Sequence, residues 1–327
     1  MINFGIIGTS KITDQFLESA HLIPDFKFNA VYSRKYEKGK AFADKYGVKN
    51  VFTDLEEMAK SSLIDAVYIA SPNSLHAAQS IIFLNNKKHV LCEKAMASNV
   101  KEANAMIKAA KDNKVLLMEA MKVTFLPNFK AIKDNLHKIG KIRKCLISYC
   151  QYSSRYDAYK KGEILNAFKP ELSNGAVMDI GTYCIQPLVN IFGKPNKVSA
   201  SSLKLESGVD GEGSAILSYA DMEGVVIYSK ISNSYIQNEI QGEDGSIVFD
   251  RINPVNKVSI VYRNGSTEDI SVPQKKEAMY YEIKGFIDDI KNGTLESSVN
   301  SHFQSITAAE IIENIRRQTG IVFPADL

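Results

Sequence analysis

The sequence has few cysteines, no long apolar run and little net charge. Its four cysteines form neither a CxxC pair nor a Cys/His spacing typical of metal sites, so we expect reduced, buried thiols and no metal centre. No stretch approaches the roughly 18 apolar residues that cross a bilayer, and the N-terminus lacks the pattern of a signal peptide. A net charge of +3 without a run of Lys or Arg argues against a nucleic-acid partner. These absences predict a cytoplasmic protein without a membrane partner.

A chain of 327 residues is long for one core, so we expect two domains, residues 1–120 and residues 121–327. In the first, short apolar runs alternate with amphipathic helical patterns; the runs are 2–7, 28–32, 66–70, 90–92 and 115–118. Runs this continuous suit strands that are covered on both faces. A helix over 99–110 is predicted, with Asn99 as its cap and Glu102 completing the cap. This half is therefore predicted to be a Rossmann-type, doubly wound parallel sheet.

After residue 140 the pattern changes to that of an α+β domain. An apolar helix is predicted over 175–192, and strands are predicted between 198 and 272. Turn signals separate these strands at 210–211, 221–224, 243–245 and 264–265. Two helices, about 278–292 and 302–318, close the chain. We expect a large, open, mostly antiparallel sheet, whose exposed face suggests a homodimer.

The segment that ends the first strand resembles a dinucleotide-binding turn. It reads Gly8-Thr9-Ser10-Lys11-Ile12-Thr13 and leads directly into a helix, as the G-x-G-x-x-G/A fingerprint does. Gly8 permits the tight turn, while Ser10 and Thr13 replace the other two small residues. Ser10 is small enough to leave room for a pyrophosphate, and its hydroxyl can contact one. The alternative is an ordinary strand-to-helix turn that binds nothing.

The end of the second strand indicates which nicotinamide cofactor is used. Ser33 and Arg34 lie about 20 residues beyond the turn, where sites selective for NAD place Asp or Glu for the ribose hydroxyls. A hydroxyl and a guanidinium suit a 2′-phosphate instead. The prediction is therefore NADP(H) rather than NAD, the alternative being that Arg34 is only a solvated strand end.

Four segments together resemble the Gfo/Idh/MocA oxidoreductases, the glucose–fructose oxidoreductase and inositol dehydrogenase family. They are the N-terminal turn, Ala70-Ser71-Pro72-Asn73-Ser74-Leu75-His76, Cys92-Glu93-Lys94-Ala95, and Asn174-Gly175-Ala176-Val177-Met178-Asp179-Ile180-Gly181-Thr182-Tyr183. The third resembles the family's E-K-P and the fourth its G-G-x-x-x-D-x-G-x-H/Y. The resemblance spans essentially the whole chain.

The resemblance implies a set of cofactor contacts at the carboxyl ends of the strands. They are Gly8, Thr9, Ser10, Lys11, Ile12, Ser33, Arg34, Ser71, Pro72, Asn73, His76, Glu93 and Lys94. Two alternatives stay open: His76 can cap its own helix, and Glu93 with Lys94 can be a solvated ion pair. Ala95 stands where the family has proline, which suggests a less rigid turn beside Lys94.

The resemblance also implies the catalytic groups Lys94, Asp179 and Tyr183. Tyrosine at 183, where many members have histidine, resembles the dihydrodiol dehydrogenase and NADP-dependent xylose dehydrogenase branch. A phenol has an ordinary pKa of about 10, and a neighbouring ammonium makes it a better acid/base. Asp179, four residues earlier on the same helix, can orient the substrate hydroxyl. The alternatives are a core tyrosine and a helix ion pair.

These expectations combine into one function, hydride transfer between NADP(H) and a hydroxyl or carbonyl of a sugar, polyol or cyclic diol. The oxidative direction needs Lys94 and Tyr183 together beside the nicotinamide. Arg155, Phe168 and Asn174 are weaker candidates for substrate contacts. Two other functions stay open, a non-catalytic NADP-sensing regulator on the same fold and an NAD-dependent glycosidase. A regulator has no use for all three catalytic groups, and a glycosidase leaves the cofactor's redox state unchanged overall.

Overall fold

A computed structural model of the protein describes residues 1–327. The strands are β1 Ile2–Ile7, β2 Phe26–Tyr32, β3 Asn50–Phe52, β4 Ala66–Ile69, β5 His89–Glu93, β6 Leu117–Ala120, β7 Ile142–Cys150, β8 Lys197–Lys204, β9 Asp210–Ser218, β10 Glu223–Ser229, β11 Asn238–Gly242, β12 Gly245–Phe249, β13 Val258–Tyr262 and β14 Thr267–Asp269. The α-helices are α1 Lys11–Ala20, α2 Tyr36–Lys45, α3 Leu55–Lys60, α4 Asn73–Asn85, α5 Val100–Asn113, α6 Pro127–Asn135, α7 Tyr156–Lys160, α8 Thr182–Phe192, α9 Tyr280–Lys291 and α10 His302–Thr319. A π-helical turn covers Val177–Gly181, and 3₁₀ turns cover Lys122–Phe125, Leu136–Ile139, Asn166–Phe168, Pro170–Leu172 and Pro324–Asp326. None of the helices combines the length and apolar character that crossing a membrane requires.

The chain divides into two compact units. Unit 1 contains Met1–Lys122 and Lys275–Ile306, and unit 2 contains Val123–Gln274 and Thr307–Leu327. The later part of the chain thus returns to unit 1 with α9 and the first residues of α10.

Unit 1 contains a six-stranded parallel sheet in the order β3-β2-β1-β4-β5-β6. The predicted doubly wound sheet is confirmed, and β1 spans the predicted residues. The strand order reverses between β1 and β4, which is where doubly wound sheets bind their ligands, beyond the carboxyl ends of the strands. The predicted cap of α5 is also present, because the Asn99 side chain accepts the N–H of Glu102 at 2.9 Å.

Unit 2 contains an eight-stranded sheet in the order β14-β13-β12-β11-β7-β10-β9-β8. All neighbouring strands are antiparallel except β7 and β10, which are parallel, so the predicted mostly antiparallel sheet is confirmed. One face packs against the α8 helix: a Cβ at Gly224 would lie 2.7 Å from Leu188, and a Cβ at Gly181 would lie 3.2 Å from Tyr228. Glycine at both positions allows this close approach.

Three local predictions need correction. The pair Asp210-Gly211 is no turn but the start of β9, and the chain reverses just before it, around residues 205–209. The helix predicted over 175–192 begins with the π-helical turn and becomes α-helical only at Thr182. The short edge strand β3 is absent from the predicted apolar runs, because three half-buried residues leave too little pattern to detect.

Candidate active site

The turn after β1 has the geometry of an anion-binding turn. Gly8 has a φ of +104°, and a Cβ there would lie 2.5 Å from the carbonyl oxygen of Ala70, so only glycine fits. Ser10 is the N-cap of α1, but its side chain makes no capping hydrogen bond. Thr13 is buried and its hydroxyl donates to the carbonyl of Gly8 at 3.1 Å. The Ser10 side chain therefore does not cap the positive N-terminus of α1, which can accept an anion.

The end of β2 carries no carboxylate. Ser33 is buried, and its hydroxyl oxygen accepts the N–H of Lys35 at 3.4 Å. Arg34 is exposed. A guanidinium beside a serine, with no acid at either position, suits a phosphate group.

The loop between β4 and α4 joins the same edge of the sheet. Pro72 precedes α4 and Asn73 is its first residue, with no acidic residue in the first turn. The hydroxyl of Ser71 donates to the side-chain oxygen of Gln79 at 2.7 Å. The loop is thereby tied to the second turn of its own helix.

His76 links two of the predicted cofactor-binding loops. The side chain is fully buried, its Nδ1 lies 2.9 Å from the carbonyl oxygen of Ala95, and its Nε2 lies 2.9 Å from that of Ser71. Burial lowers the pKa of His76, although these two carbonyls oppose the change. The imidazole therefore lies between the loop after β5 and the loop after β4, and in its neutral form its one N–H donates to one of these two carbonyls.

The end of β5 places a buried carboxyl beside a half-buried lysine. The hydroxyl of Tyr68 donates to Oε1 of Glu93 at 2.6 Å. Burial raises the pKa of Glu93, although the charge of Lys94 and this hydrogen bond oppose the rise. The peptide bond between Lys94 and Ala95 is cis. The hydrogen bond from Tyr68 holds Glu93 in the interior, whereas Lys94 is half-buried.

A second buried carboxyl, on α9, interacts with this group. Glu282 is 1% exposed, and burial raises its pKa well above the usual range, with the charge of Glu93 acting in the same direction. One oxygen of Glu282 has no hydrogen-bond partner. No sequence pattern marks this residue, because its electrostatic interaction with Glu93 depends on the return of residues 275–306 to unit 1.

In unit 2, a buried carboxylate holds the start of the helical segment that carries Asp179 and Tyr183. The side chain of Asp210 accepts the N–H of Ala176 at 2.9 Å and that of Val177 at 2.8 Å, so it satisfies two of the N–H groups that a helix start leaves unpaired. Burial raises the pKa of Asp210 to about 6, although these hydrogen bonds and the charge of Lys230 oppose the rise.

Asp179 and Tyr183 lie in the π-helical turn and the first turn of α8. The ring of Tyr183 is 8% exposed and packs edge-on against Tyr149, with ring centroids 5.7 Å apart. Asp179 is half-exposed, and its Oδ2 accepts a hydrogen bond from Nζ of Lys230 at 2.7 Å. π-helical turns recur at functional sites. Neither Lys230 nor the capping role of Asp210 is marked by any sequence motif.

The three weaker substrate candidates differ in exposure. Arg155 is exposed and precedes α7. Phe168 is fully buried, with its ring 5.2 Å from that of Tyr159. Asn174 is half-buried, and its side-chain oxygen accepts the N–H of Gly175 at 3.1 Å. Arg155 is therefore the most open of the three to solvent.

Comparison with known proteins gives matches along the whole chain. Residues 2–121 match the model of the oxidoreductase family with an NAD-binding Rossmann fold, GFO_IDH_MocA, and residues 131–248 match the GFO/IDH/MocA C-terminal domain. The chain is 57% identical to scyllo-inositol 2-dehydrogenase (NADP(+)) IolU of Bacillus subtilis, over 100% of this chain and 99% of the relative. It is 45% identical to the uncharacterized oxidoreductase YgjR of Escherichia coli, with the same coverage. It is 29% identical to the trans-1,2-dihydrobenzene-1,2-diol dehydrogenase of Danio rerio, over 99% of each.

Solved structures share the fold at low sequence identity. KijD10, a 3-ketoreductase from Actinomadura kijaniata in complex with NADP and TDP-benzene, has a TM-score of 0.86 at 22% identity, covering 97% of this chain and 98% of that one. An oxidoreductase from Agrobacterium radiobacter in complex with NAD+, L-tartaric acid and magnesium has a TM-score of 0.83 at 16% identity, covering 98% and 96%. The order of elements described above is thus that of a known two-part architecture.

The raised pKa of Asp210 predicts a specific pH dependence of stability. Between the ordinary value of 3.8 and about 6, the folded chain holds a proton that the unfolded chain has lost. The Asp210 contribution to the free energy of unfolding is therefore complete below about pH 4 and falls as the pH rises to about 6. In urea unfolding, the stability difference between the wild type and Asp210→Asn should fall by about 1–3 kcal/mol across this window and level off above it.

Asp134→Asn is the control, because it removes an exposed carboxylate of the same unit. A difference between wild type and Asp210→Asn that rises with pH, or that does not change, would contradict this account of Asp210.

Proposed function

Because the chain belongs to the GFO/IDH/MocA oxidoreductase family, we propose that it transfers a hydride between NADP(H) and a hydroxyl or carbonyl carbon of an inositol or a related cyclic polyol. The observation that carries the proposal is the 57% identity, over the full length, to an NADP-dependent scyllo-inositol 2-dehydrogenase. The presence of Lys94, Asp179 and Tyr183 supports an enzyme rather than a cofactor-sensing regulator.

The residues of unit 1 fit NADP(H). Because Gly8 has no side chain, a ligand can approach the backbone of the β1–α1 turn closely. The Ser10 side chain makes no capping hydrogen bond, so the N–H groups at the start of α1 can bind a pyrophosphate. The exposed guanidinium of Arg34 beside Ser33 suits the 2′-phosphate. The loops that contain Ser71–Asn73 and Glu93–Lys94 follow the adjacent strands β4 and β5, on the nicotinamide side in this proposal.

The chain's own residues divide the acid–base work. In the oxidative direction, Tyr183 takes the proton from the substrate hydroxyl and Lys94 stabilises the negative charge that develops on that oxygen. Asp179 accepts a hydrogen bond from the substrate and so orients it. Bound NADP(H) supplies or accepts the hydride. Arg155, Phe168 and Asn174 are proposed to border the substrate.

The four cysteines are free thiols and three of them are buried. Reduced, buried thiols suit a reducing compartment. We therefore propose the cytoplasm as the location of the protein.

Lys94→Ala tests the catalytic assignment. Loss of the ammonium should lower kcat by about 100- to 10,000-fold, the range typical of a lost acid–base or charge-stabilising group. The dissociation constant for NADPH, measured by fluorescence titration, should change less than about threefold. Turnover is followed at the nicotinamide absorbance with a panel of inositols and aldoses.

Lys101→Ala is the matched control, because it removes an exposed lysine of the next helix, α5. Tyr183→Phe should reproduce the loss seen for Lys94→Ala. Wild-type turnover by Lys94→Ala would refute its role, whereas a wild-type protein that oxidises no polyol with NADP+ would refute the proposed substrate class.

Arg34→Ala tests the cofactor preference. Removal of one charge-assisted phosphate contact should weaken NADPH binding by about 10- to 100-fold and leave NADH binding nearly unchanged. The measurement is a pair of fluorescence titrations. Lys27→Ala is the control, because Lys27 is exposed near the opposite end of the same strand. Equal weakening for both cofactors would exclude a role of Arg34 in reading the 2′-phosphate.

The face of the unit 2 sheet that is turned away from α8 is a candidate dimer surface. Leu146, Val225 and Ile216 lie side by side on the adjacent strands β7, β10 and β9, and Ile216 is 42% exposed. Contiguous apolar side chains on an open sheet face are typical of interfaces. We propose that a second copy of this chain covers this face in a homodimer.

Ile216→Glu should dissociate the dimer, because it places a charge in the centre of an apolar interface. Sedimentation velocity at micromolar concentration should report a dimer for the wild type and a monomer for the variant. Leu22→Glu, a change at an exposed leucine of unit 1, should remain dimeric. A monomeric wild type would end the dimer proposal without affecting the proposed reaction.

A further inference from the structure

A lysine that no sequence motif marks is buried in unit 2. Lys230 directly follows β10 and is 2% exposed. Its Nζ donates to Oδ2 of Asp179 at 2.7 Å and to the carbonyl oxygen of Ala167 at 3.2 Å, and lies 5.2 Å from the ring centre of Phe168. Lysine is almost never fully buried without such partners.

The backbone of Lys230 is fixed as firmly as its side chain. Its N–H donates to the carbonyl oxygen of Gly211, and its own carbonyl oxygen accepts the N–H of Ser153, both at 2.8 Å. The Ser153 hydroxyl oxygen in turn accepts the N–H of Arg155 at 3.2 Å. One residue therefore connects β9, the segment before α7, the Asn166–Phe168 turn and the π-helical turn.

Three of the segments that Lys230 connects carry proposed substrate residues. Asp179 lies in the π-helical turn, Phe168 ends the 3₁₀ turn, and Arg155 follows Ser153. A methionine would fill a similar volume and would avoid the cost of removing an ammonium from water. A charge at this position thus opposes folding, and the group that it contacts most closely is the Asp179 carboxylate.

We infer that Lys230 is a positioning residue, whose ammonium holds the Asp179 carboxylate in the rotamer that accepts a substrate hydroxyl. This inference rests on the proposed function, in which Asp179 orients the substrate. With Oδ2 fixed by Lys230, the carboxylate cannot rotate freely about its terminal bond, so its orientation is set before the substrate arrives. Such preorganisation lowers the cost of binding in the reactive geometry.

The test compares kcat and KM of the full-length enzyme with NADP+ and scyllo-inositol, or with the most active polyol of the panel. Lys230→Met should raise KM for the polyol by about 10- to 100-fold and lower kcat, as expected for loss of a hydrogen bond to a charged group. The dissociation constant for NADPH should stay within about twofold of wild type. Lys194→Met is the control, because Lys194 pairs with Glu310 in the same unit but is 57% exposed.

A double variant separates positioning from structural support. If Lys230 acts through the carboxylate, then Lys230→Met should add less than about twofold to the effect of Asp179→Asn. Independent, multiplying effects of the two changes would overturn the inference, and so would wild-type kinetics for folded Lys230→Met.

Folding of each variant is checked by circular dichroism and thermal unfolding. If Lys230→Met does not fold, Lys230→Gln replaces it; this variant lacks the charge that pairs with Asp179, so KM should still rise. Inactivity of the wild type toward every polyol would count against the proposed function, whereas an active wild type with a normal Lys230 variant would count against the positioning role alone.

Discussion

The site in unit 2 depends on one carboxylate at the beginning of β9. Asp210 accepts two N–H groups at the start of the helical segment that leads into α8, and the helical segment carries Asp179 and Tyr183. The neighbouring Gly175 has a φ of +133°, and a Cβ there would lie 2.3 Å from Oδ1 of Asp210. The contact therefore requires glycine on one side and a short acid on the other. The contact between Gly175 and Asp210 therefore determines where this helical segment starts, and so the direction of its first two turns.

Four of the six buried Asp, Glu, Lys and Arg side chains belong to the two groups of candidate residues; the other two are Glu119 and Arg316. Glu93 and Glu282 are buried in unit 1, and Asp210 and Lys230 are buried in unit 2. Removing such groups from water opposes folding, and only the partners described above offset the cost. An apolar side chain in place of Lys230 would avoid this cost, whereas one in place of Asp210 would leave two N–H groups without their acceptor. Groups of this kind mark sites where charge must be held in a fixed orientation.

Most elements of the fold could be predicted from the sequence because each carries its own local pattern. The apolar run at residues 2–7 and the cap at Asn99 are local, so both could be placed without knowledge of the rest of the chain. Asp210-Gly211 misled for the opposite reason: the pair resembles a turn, yet its carboxylate serves a helix start more than thirty residues earlier in the chain.

The candidate site could be predicted only where residues sit in a recognisable segment. Gly8, Lys94 and Tyr183 belong to motifs, so the sequence singles them out. The burial of Lys230 arises from packing among segments that lie far apart in the chain; Ala167, for example, is 63 residues away. Nothing around residue 230 distinguishes this lysine from a surface lysine. Its burial is a property of the assembled unit rather than of the local sequence.

The order of the elements also constrains how the protein emerges from the ribosome. Unit 1 begins with β1, yet it is complete only when residues 275–306 have been synthesised. In unit 2, the central strand β7 pairs with β10 and β11, whose residues follow it by roughly eighty to one hundred positions. The six parallel strands of the N-terminal sheet therefore lack α9 until residues 123–274 of the second unit have been translated. A nascent chain halted before residue 275 would expose the surface that α9 covers, and would be a natural client for a chaperone.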